Sequence, residues 1–408
     1  MSLREEALNY HCQNGEPGKL SVVPTKPLDS LQNLTLAFTP GVAEPIKEII
    51  RDPNLVYQYT SKGNLVAVIS NGTAVLGLGD QGALASKPLL EGKAALFKKF
   101  AGVDAFDIEI DEIDPLEFIK IVAGIAPTFG AINLEDIKSP DCFFIERKLQ
   151  EMLDIPVFHD DQHGIAIVLG AAFLNALEIV GKKPESVKVV FSGAGASAIS
   201  CANFLLKIGV RGENIWMCDL YGLVYEDRKE DMFAEKAVHA NGKQPDTLAN
   251  VIENADVFIG LSVGGVLTPG MAQKMAANPI IFALANPDPE IDYDLAMQTR
   301  SDAIIATGRS DFPNQLNSLI CFPYIFRGAL DVRASEINDE MKMAVSRALA
   351  SLAHEPVPDE VLQIYGVSEL SFGKDYLLPK PMDHRVRDRI VSAVVEAARQ
   401  TGVARINR

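Results

Sequence analysis

The chain has 408 residues, 48% of them apolar and 23% charged, with a formal net charge of −16. That length accommodates about two or three domains with sizeable cores, and the charged fraction is ordinary for a globular protein. The excess of carboxylates argues against a nucleic-acid or anionic-membrane partner, whose phosphates would be repelled; a small anionic substrate stays open, because a metal ion or a few local cations can reverse the field inside a site.

The N-terminal sequence MSLREEALNYH lacks the apolar core of a signal peptide. From there to residue 163 the chain mixes short strands and helices. Apolar runs at Leu65–Ile69 and Phe106–Ile110 predict strands, and helical patterns cover Leu90–Phe100 and Pro115–Ala123. Residues 164–308 alternate strand and helix. The predicted strands are Val187–Phe191, Ile215–Cys218, Val257–Leu261, Ile280–Leu284 and Ala303–Ala306, each bounded by Gly, Asp, Asn or Pro. Such alternation reads as a parallel, doubly wound α/β sheet. The longest apolar stretch, Ile165–Val180, is interrupted by Asn175 and Glu178 and reads as too short to span a bilayer. Residues 309–408 are mostly helical, Pro-rich near Pro379–Pro381, and expected to pack back on residues 1–163. The cysteines are Cys12, Cys142, Cys201, Cys218 and Cys321, odd in number and without a C-x-x-C pair. Neither a disulfide framework nor a thiolate zinc site is expected, and a reducing cytoplasm fits.

VKVVFSGAGASAISCANFLL places a strand, then Gly193-Ala194-Gly195-Ala196-Ser197-Ala198, then a helix. This is G-x-G-x-x-A in a Rossmann-like context. Gly193 permits the tight turn, Gly195 lets a pyrophosphate approach the backbone, and small Ala198 lets the helix pack on the strand. The helix N-terminus then offers free N–H groups and partial positive charge. Asp219 ends the next strand, where a carboxylate can bond a ribose hydroxyl. Asp219, Glu226 and Asp227 would repel the 2′-phosphate of NADP, while Arg228 and Lys229 could attract it; the balance leans to NAD. A tight turn without a ligand is the bland alternative, and the strand, helix and Asp219 together weigh against it.

Two acidic pairs follow apolar runs: Glu135-Asp136 in GAINLEDIK and Asp160-Asp161 in PVFHDDQHG. Pairs at two strand ends can converge at one sheet edge, where several carboxylates would repel one another without a cation. Oxygen-only ligands favour Mg²⁺ or Mn²⁺. On residue type alone, helix caps and solvated carboxylates are the commoner explanation, Asp161 being well placed to cap a helix. His159 and His163, four apart, raise a zinc site as a rival, weakened by Gly164 and by the lack of a third nearby His or Cys.

LAFTPGVAEP, GLGDQGALASKPLLEGK, INLEDIK, VFHDDQHGIA, FSGAGASA, ALANPDPE and FPNQLNSLICFPYIFRGALD, in this order, resemble the malic enzymes. The likeness runs from about Pro17 to about Ala404, to the bacterial short form or to the malic-enzyme portion of a bacterial hybrid form with a phosphotransacetylase-like extension. It implies a mixed α/β substrate and metal domain over 1–163, an NAD(P)-binding Rossmann-like domain over 164–308 and a C-terminal helical segment over 309–408. It also implies a homodimer. Residue by residue, Glu135, Asp136 and Asp161 match metal ligands, Lys93 in LLEGK the general base, and Asp160 the carboxylate beside that lysine. Asn286 in ALANP and Asn317 in FPNQLNS match residues that hold substrate and the nicotinamide end of the cofactor. Asp80 matches the GLGD turn, with no derivable role. Without the resemblance Lys93 reads as a solvated helix lysine and Asn286 as a turn residue.

Two positions depart from the family pattern. Phe38-Thr39-Pro40 stands where the family has Tyr-Thr-Pro, and that tyrosine is the general acid. Asn317-Ser318 stands where the family has Asn-Asn. The implied reaction is divalent-metal-dependent oxidation and decarboxylation of malate to pyruvate with reduction of NAD or NADP, its last protonation impaired by Phe38. It requires Lys93 to be neutral when it accepts the substrate proton, hence a lysine held below its usual range. The alternatives are a related decarboxylase of another 2-hydroxy acid, a ligand-binding homologue with weakened turnover, or a metal-dependent hydrolase without a redox cofactor.

Overall fold

The computed structural model describes residues 2–15 and 17–406. Four parallel strands, β1 (Leu65–Ser70), β2 (Asp104–Glu109), β3 (Ala131–Leu134) and β4 (Val157–His159), form a first sheet in the order β2-β1-β3-β4. Every residue of β1, β3 and β4 is buried, as continuous apolar runs covered on both faces require. Helices Ala83–Leu96, Pro115–Ile125 and Asp141–Met152 make the crossovers. The second begins with Pro115 behind Asp114, whose side chain accepts from the N–H groups of Leu116 and Glu117. The helix predicted over Leu90–Phe100 starts earlier, at Ala83, and widens into a π turn over Phe97–Ala101.

The second sheet contains β5 (Val189–Ser192), β6 (Ile215–Asp219), β7 (Gly222–Leu223), β8 (Val257–Gly260), β9 (Ile280–Ala283) and β10 (Ile304–Thr307). Its order is β10-β9-β8-β5-β6-β7, and only β7 is antiparallel, folding back on β6. The chain enters at β5, winds out to one side, then returns to continue from β8 on the other. That reversal opens a crevice at the carboxyl ends of β5 and β8.

Helix Asp160–Val180 joins the two sheets and packs against helices Ala196–Ile208 and Asp339–Leu352. A Cβ on Gly170 would come within 2.4 Å of the Phe204 ring, so only glycine permits this crossing. The helix that holds the apolar stretch Ile165–Val180 begins earlier, at Asp160, and its 21 residues are long and apolar enough to cross a membrane by length and composition only. Its 18-residue apolar window is 67% buried inside the protein, which makes it a core helix. Helices Phe322–Asp331, Asp339–Leu352 and Arg385–Gln400 pack together. Phe322 and Phe326 meet Phe97 edge-on, with ring centroids 5.0 and 5.1 Å apart, so the C-terminal helices share a core with the first sheet's layer. By contrast, helices Leu3–His11, Leu31–Ala37 and Ala43–Arg51 contain no buried residue.

Candidate active site

β3 and β4 are neighbours with Leu134 opposite His159. The next residues along each strand are Glu135-Asp136 and Asp160-Asp161, so strand register alone brings the two acidic pairs together. Asp161 Oδ2 accepts the Asp136 backbone N–H at 2.7 Å. Burial and the neighbouring carboxylates push Glu135 well above its usual range and Asp136 up to about 8.

Lys93, on helix Ala83–Leu96, reaches into this cluster and is 6% exposed, not solvated. Its Nζ donates to Glu135 Oε2 and, at 2.5 Å, to Asp160 Oδ2, and lies 4.5 Å from the centre of the Phe322 ring. Ser318 Oγ donates to the same Asp160 oxygen at 2.7 Å, so the serine that departs from the family pattern still orients the lysine's partner. A Cβ on Gly164 would lie 2.8 Å from Ser318 Cβ, which explains the glycine there. Burial alone would lower the Lys93 ammonium, but Asp160, Glu135 and Asp161 together outweigh it and hold it above its usual value. With three carboxylates around it, Lys93 is their counter-ion; the expected depressed lysine depends on metal charge beside it, which Asp160 opposes.

The donor set fits a hard cation in chemistry. Glu135, Asp136 and Asp161 offer only oxygen, and Asp136 Oδ2 is buried without a hydrogen-bond partner. Among the described residues, however, no three His, Cys, Asp or Glu side chains are gathered closely enough to hold an ion. Glu135 is turned to Lys93 and to Asn133 Nδ2, 2.9 Å away, so it must turn from them to join such a set. The zinc alternative loses His163. Lys342 Nζ donates to its Nδ1 at 3.2 Å, which leaves Nε2–H to donate to Glu146 at 2.9 Å. Burial lowers His163; burial would raise Glu146, but His163, Lys342 and His159 together outweigh it and bring that carboxyl down to about 2. His159 is fully buried, and neither ring nitrogen has a hydrogen-bond partner, although Nδ1 lies 3.8 Å from Asp161 Oδ2.

The glycine loop follows β5. Gly193 has φ +114°, and a Cβ there would meet the Leu261 carbonyl at 2.4 Å. At Gly195 nothing lies within 4 Å of a Cβ position. Ala194 is buried beneath the loop, and Ser197 Oγ donates to the Asp161 carbonyl at 2.7 Å. That bond ties the start of helix Ala196–Ile208 to the start of the helix carrying Asp160 and Asp161. One cavity of about 800 Å³ results, lined by Lys93, Glu135, Asp136, Asp160, Asp161, Gly195, Ala196, Ser197, Asn286 and Asn317, large enough for a cofactor with a small substrate. Asn317 Oδ1 accepts the Leu319 N–H at 2.9 Å, and Asn286 Nδ2 donates to the Leu284 carbonyl at 3.3 Å.

Three residues lie elsewhere. Asp80 is exposed and outside the cavity lining. Asp219 ends β6 away from the cavity, its carboxylate clamped by Arg228 and Lys236. Phe38 ends helix Leu31–Ala37 with 74% of its surface exposed and does not line the cavity of its own chain. Its exposure follows from the N-terminal helices, which contain no buried residue. Conversely, Lys19 and Lys138 line the cavity and bring positive charge to it. Lys138 stands within INLEDIK, where the acidic pair drew attention away from it; nothing local marks Lys19.

Residues 17–150 match the family model for the malic enzyme N-terminal domain, and residues 162–371 match that for the malic enzyme NAD binding domain. The NADP-dependent malic enzyme of Escherichia coli (strain K12) is 56% identical over 405 residues, 98% of this chain, and the chain spans about half (53%) of that relative's length. The NADP-dependent malic enzyme of Halomonas elongata is 55% identical over 402 residues, covering 98% of this chain and 95% of the relative. Among solved structures, the malic enzyme from Pyrococcus horikoshii superposes with a TM-score of 0.90 at 45% identity, covering 100% of this chain and 93% of that one. With both family domains matched in order around a cavity that joins the acidic strand ends to the glycine loop, the chain belongs to the malic enzyme family.

Proposed function

We propose that the chain catalyses oxidative decarboxylation of malate to pyruvate and CO₂ with reduction of NAD or NADP, in the presence of Mg²⁺ or Mn²⁺. The observation that carries this reading is the Ser197–Asp161 bond, which sets a dinucleotide loop and an acidic strand-end cluster around one cavity. A divalent ion held by Glu135, Asp136 and Asp161 would supply Lewis-acid polarisation of the substrate's C2 oxygen. Lys93, once neutral, accepts the C2 hydroxyl proton, while Asp160 and Ser318 hold it in place. Asn286 and Asn317 position substrate and the nicotinamide, and hydride passes from C2 to that ring. The C3–C4 bond then breaks, CO₂ departs, and its electron pair takes up a proton at C3. The Phe38 ring carries no proton to give, so water or another group serves in that step.

A homodimer is part of the same proposal. Leu31, Leu36, Phe38 and Ile50 are 81, 63, 74 and 76% exposed on the N-terminal helices, and apolar surface of this kind calls for cover. A second copy would supply it and would decide which cavity Phe38 faces. A cytoplasmic location is supported by five free thiols. The exposure and chemistry of Phe38 favour one second reading, a homologue that binds these ligands with weakened turnover. Following the reduced-nicotinamide absorbance with malate and Mn²⁺ tests both. Reduction coupled to CO₂ release supports the enzyme; binding of malate, metal and dinucleotide without reduction supports the second reading. Reduction only with another 2-hydroxy acid would displace malate.

A further inference from the structure

We infer that this chain selects NAD over NADP because the two buried cations at the end of β6, Arg228 and Lys236, are already spent on carboxylates and backbone carbonyls, and the exposed charge there is mostly acidic; this rests on the dinucleotide reading above. In a doubly wound sheet the adenosine ribose lies at the carboxyl end of the strand after the glycine loop, and binding the 2′-phosphate there requires a cation with N–H groups to spare. Two of the nearest candidates have none. Arg228 is buried, and its guanidinium is consumed: Nε donates to the Glu230 carbonyl, Nη1 to the carbonyls of Gly222 and Leu223, and Nη2 to both oxygens of Asp219. That accounts for every donor an arginine has. Lys236, also buried, donates to Asp219 Oδ2 at 3.1 Å, to the Asp231 carbonyl at 2.8 Å and to Asp231 Oδ2 at 2.5 Å, which exhausts its ammonium.

Arg228 and Lys236 therefore hold the β6 end together from behind. What faces outward is different. Leu220 and Tyr221, which follow Asp219, are 92 and 61% exposed. Beyond them Glu226, Asp227, Glu230 and Asp231 are exposed, against Lys229 in the same segment and Lys243, which follows the Gly242 whose carbonyl accepts the Glu226 N–H. A phosphate dianion brought here meets repulsion with little to offset it, whereas a ribose hydroxyl needs no counter-charge. The expectation that Arg228 could attract a 2′-phosphate is corrected by its burial.

Calorimetric titration of the full chain with NAD and NADP tests this, alongside Leu220→Arg, which adds a guanidinium on an exposed position next to Asp219. The expected result is NAD bound at least about tenfold more tightly than NADP, with Leu220→Arg raising NADP affinity by roughly tenfold and leaving NAD affinity nearly unchanged. NADP binding as tightly as NAD, or more so, overturns the proposal. So does a folded Leu220→Arg protein that gains nothing for NADP, since the 2′ position then lies elsewhere. Binding of neither dinucleotide overturns the dinucleotide reading itself, an outcome distinct from a reversed preference.

Discussion

Gly195→Val separates a ligand site from a mere tight turn. Gly195 has φ −91° and ψ −167°, extended backbone that valine adopts freely. Nothing lies within 4 Å of the Cβ position. The fold should tolerate the change, with stability altered by no more than about 0.5 kcal/mol. The new side chain projects into the cavity that Gly195, Ala196 and Ser197 line. There it would lift a pyrophosphate off the N–H groups at the start of helix Ala196–Ile208. Losing two hydrogen bonds to a charged group, at about 1.5–3 kcal/mol each, costs about 3–6 kcal/mol of binding. That corresponds to a roughly 10²–10⁴-fold weaker Kd. Gly193→Ala is the contrasting control. With φ +114° and a backbone carbonyl 2.4 Å from the Cβ position, it should destabilise the fold itself. Calorimetric titration with NAD and NADP, with the melting temperature measured beside it, gives both readouts. A folded Gly195→Val protein with unchanged dinucleotide affinity would refute the reasoning, because the open space beside Gly195 would then hold no phosphate.

Asp161→Ala removes one of the three carboxylates assigned to the metal; Mn²⁺ affinity should fall by at least about tenfold and the metal-dependent rise in melting temperature should disappear, whereas an unaltered Mn²⁺ titration would reassign the ligands. Lys93→Ala should slow malate oxidation by about 10²–10⁴-fold while leaving dinucleotide affinity intact; hydride transfer at the wild-type rate in a single turnover would mean that another group takes the proton. Phe38→Tyr adds one phenol oxygen to an exposed ring and should leave the melting temperature unchanged while raising malate-to-pyruvate turnover by about 10²–10⁴-fold. Turnover that does not rise would show that Phe38 does not stand at the proton-donor position.

The sequence by itself determined what depends on neighbours along the chain. Short apolar runs bounded by turn residues marked β5, β6, β8, β9 and β10 to within about two residues, because a strand buried on both faces must be apolar throughout. The glycine pattern marked the loop after β5 because its requirements are local: a positive φ at Gly193 and open space at Gly195. Ordered motifs named Lys93 and the two acidic pairs. Tertiary structure decided what those groups do to one another. Only the pairing of β3 with β4 sets Glu135-Asp136 beside Asp160-Asp161, and only burial among them turns Lys93 from an ordinary helix lysine into their counter-ion. The same holds for Arg228. In sequence it is a cation near a ribose site, and in the fold its donors are all spent on Asp219 and backbone carbonyls. Phe38 reads as an active-site position by motif, yet its exposure follows from how the N-terminal helices leave the core. Charge and hydrogen-bonding capacity are written in residue identity; whether they remain available depends on contacts made between segments far apart in the chain.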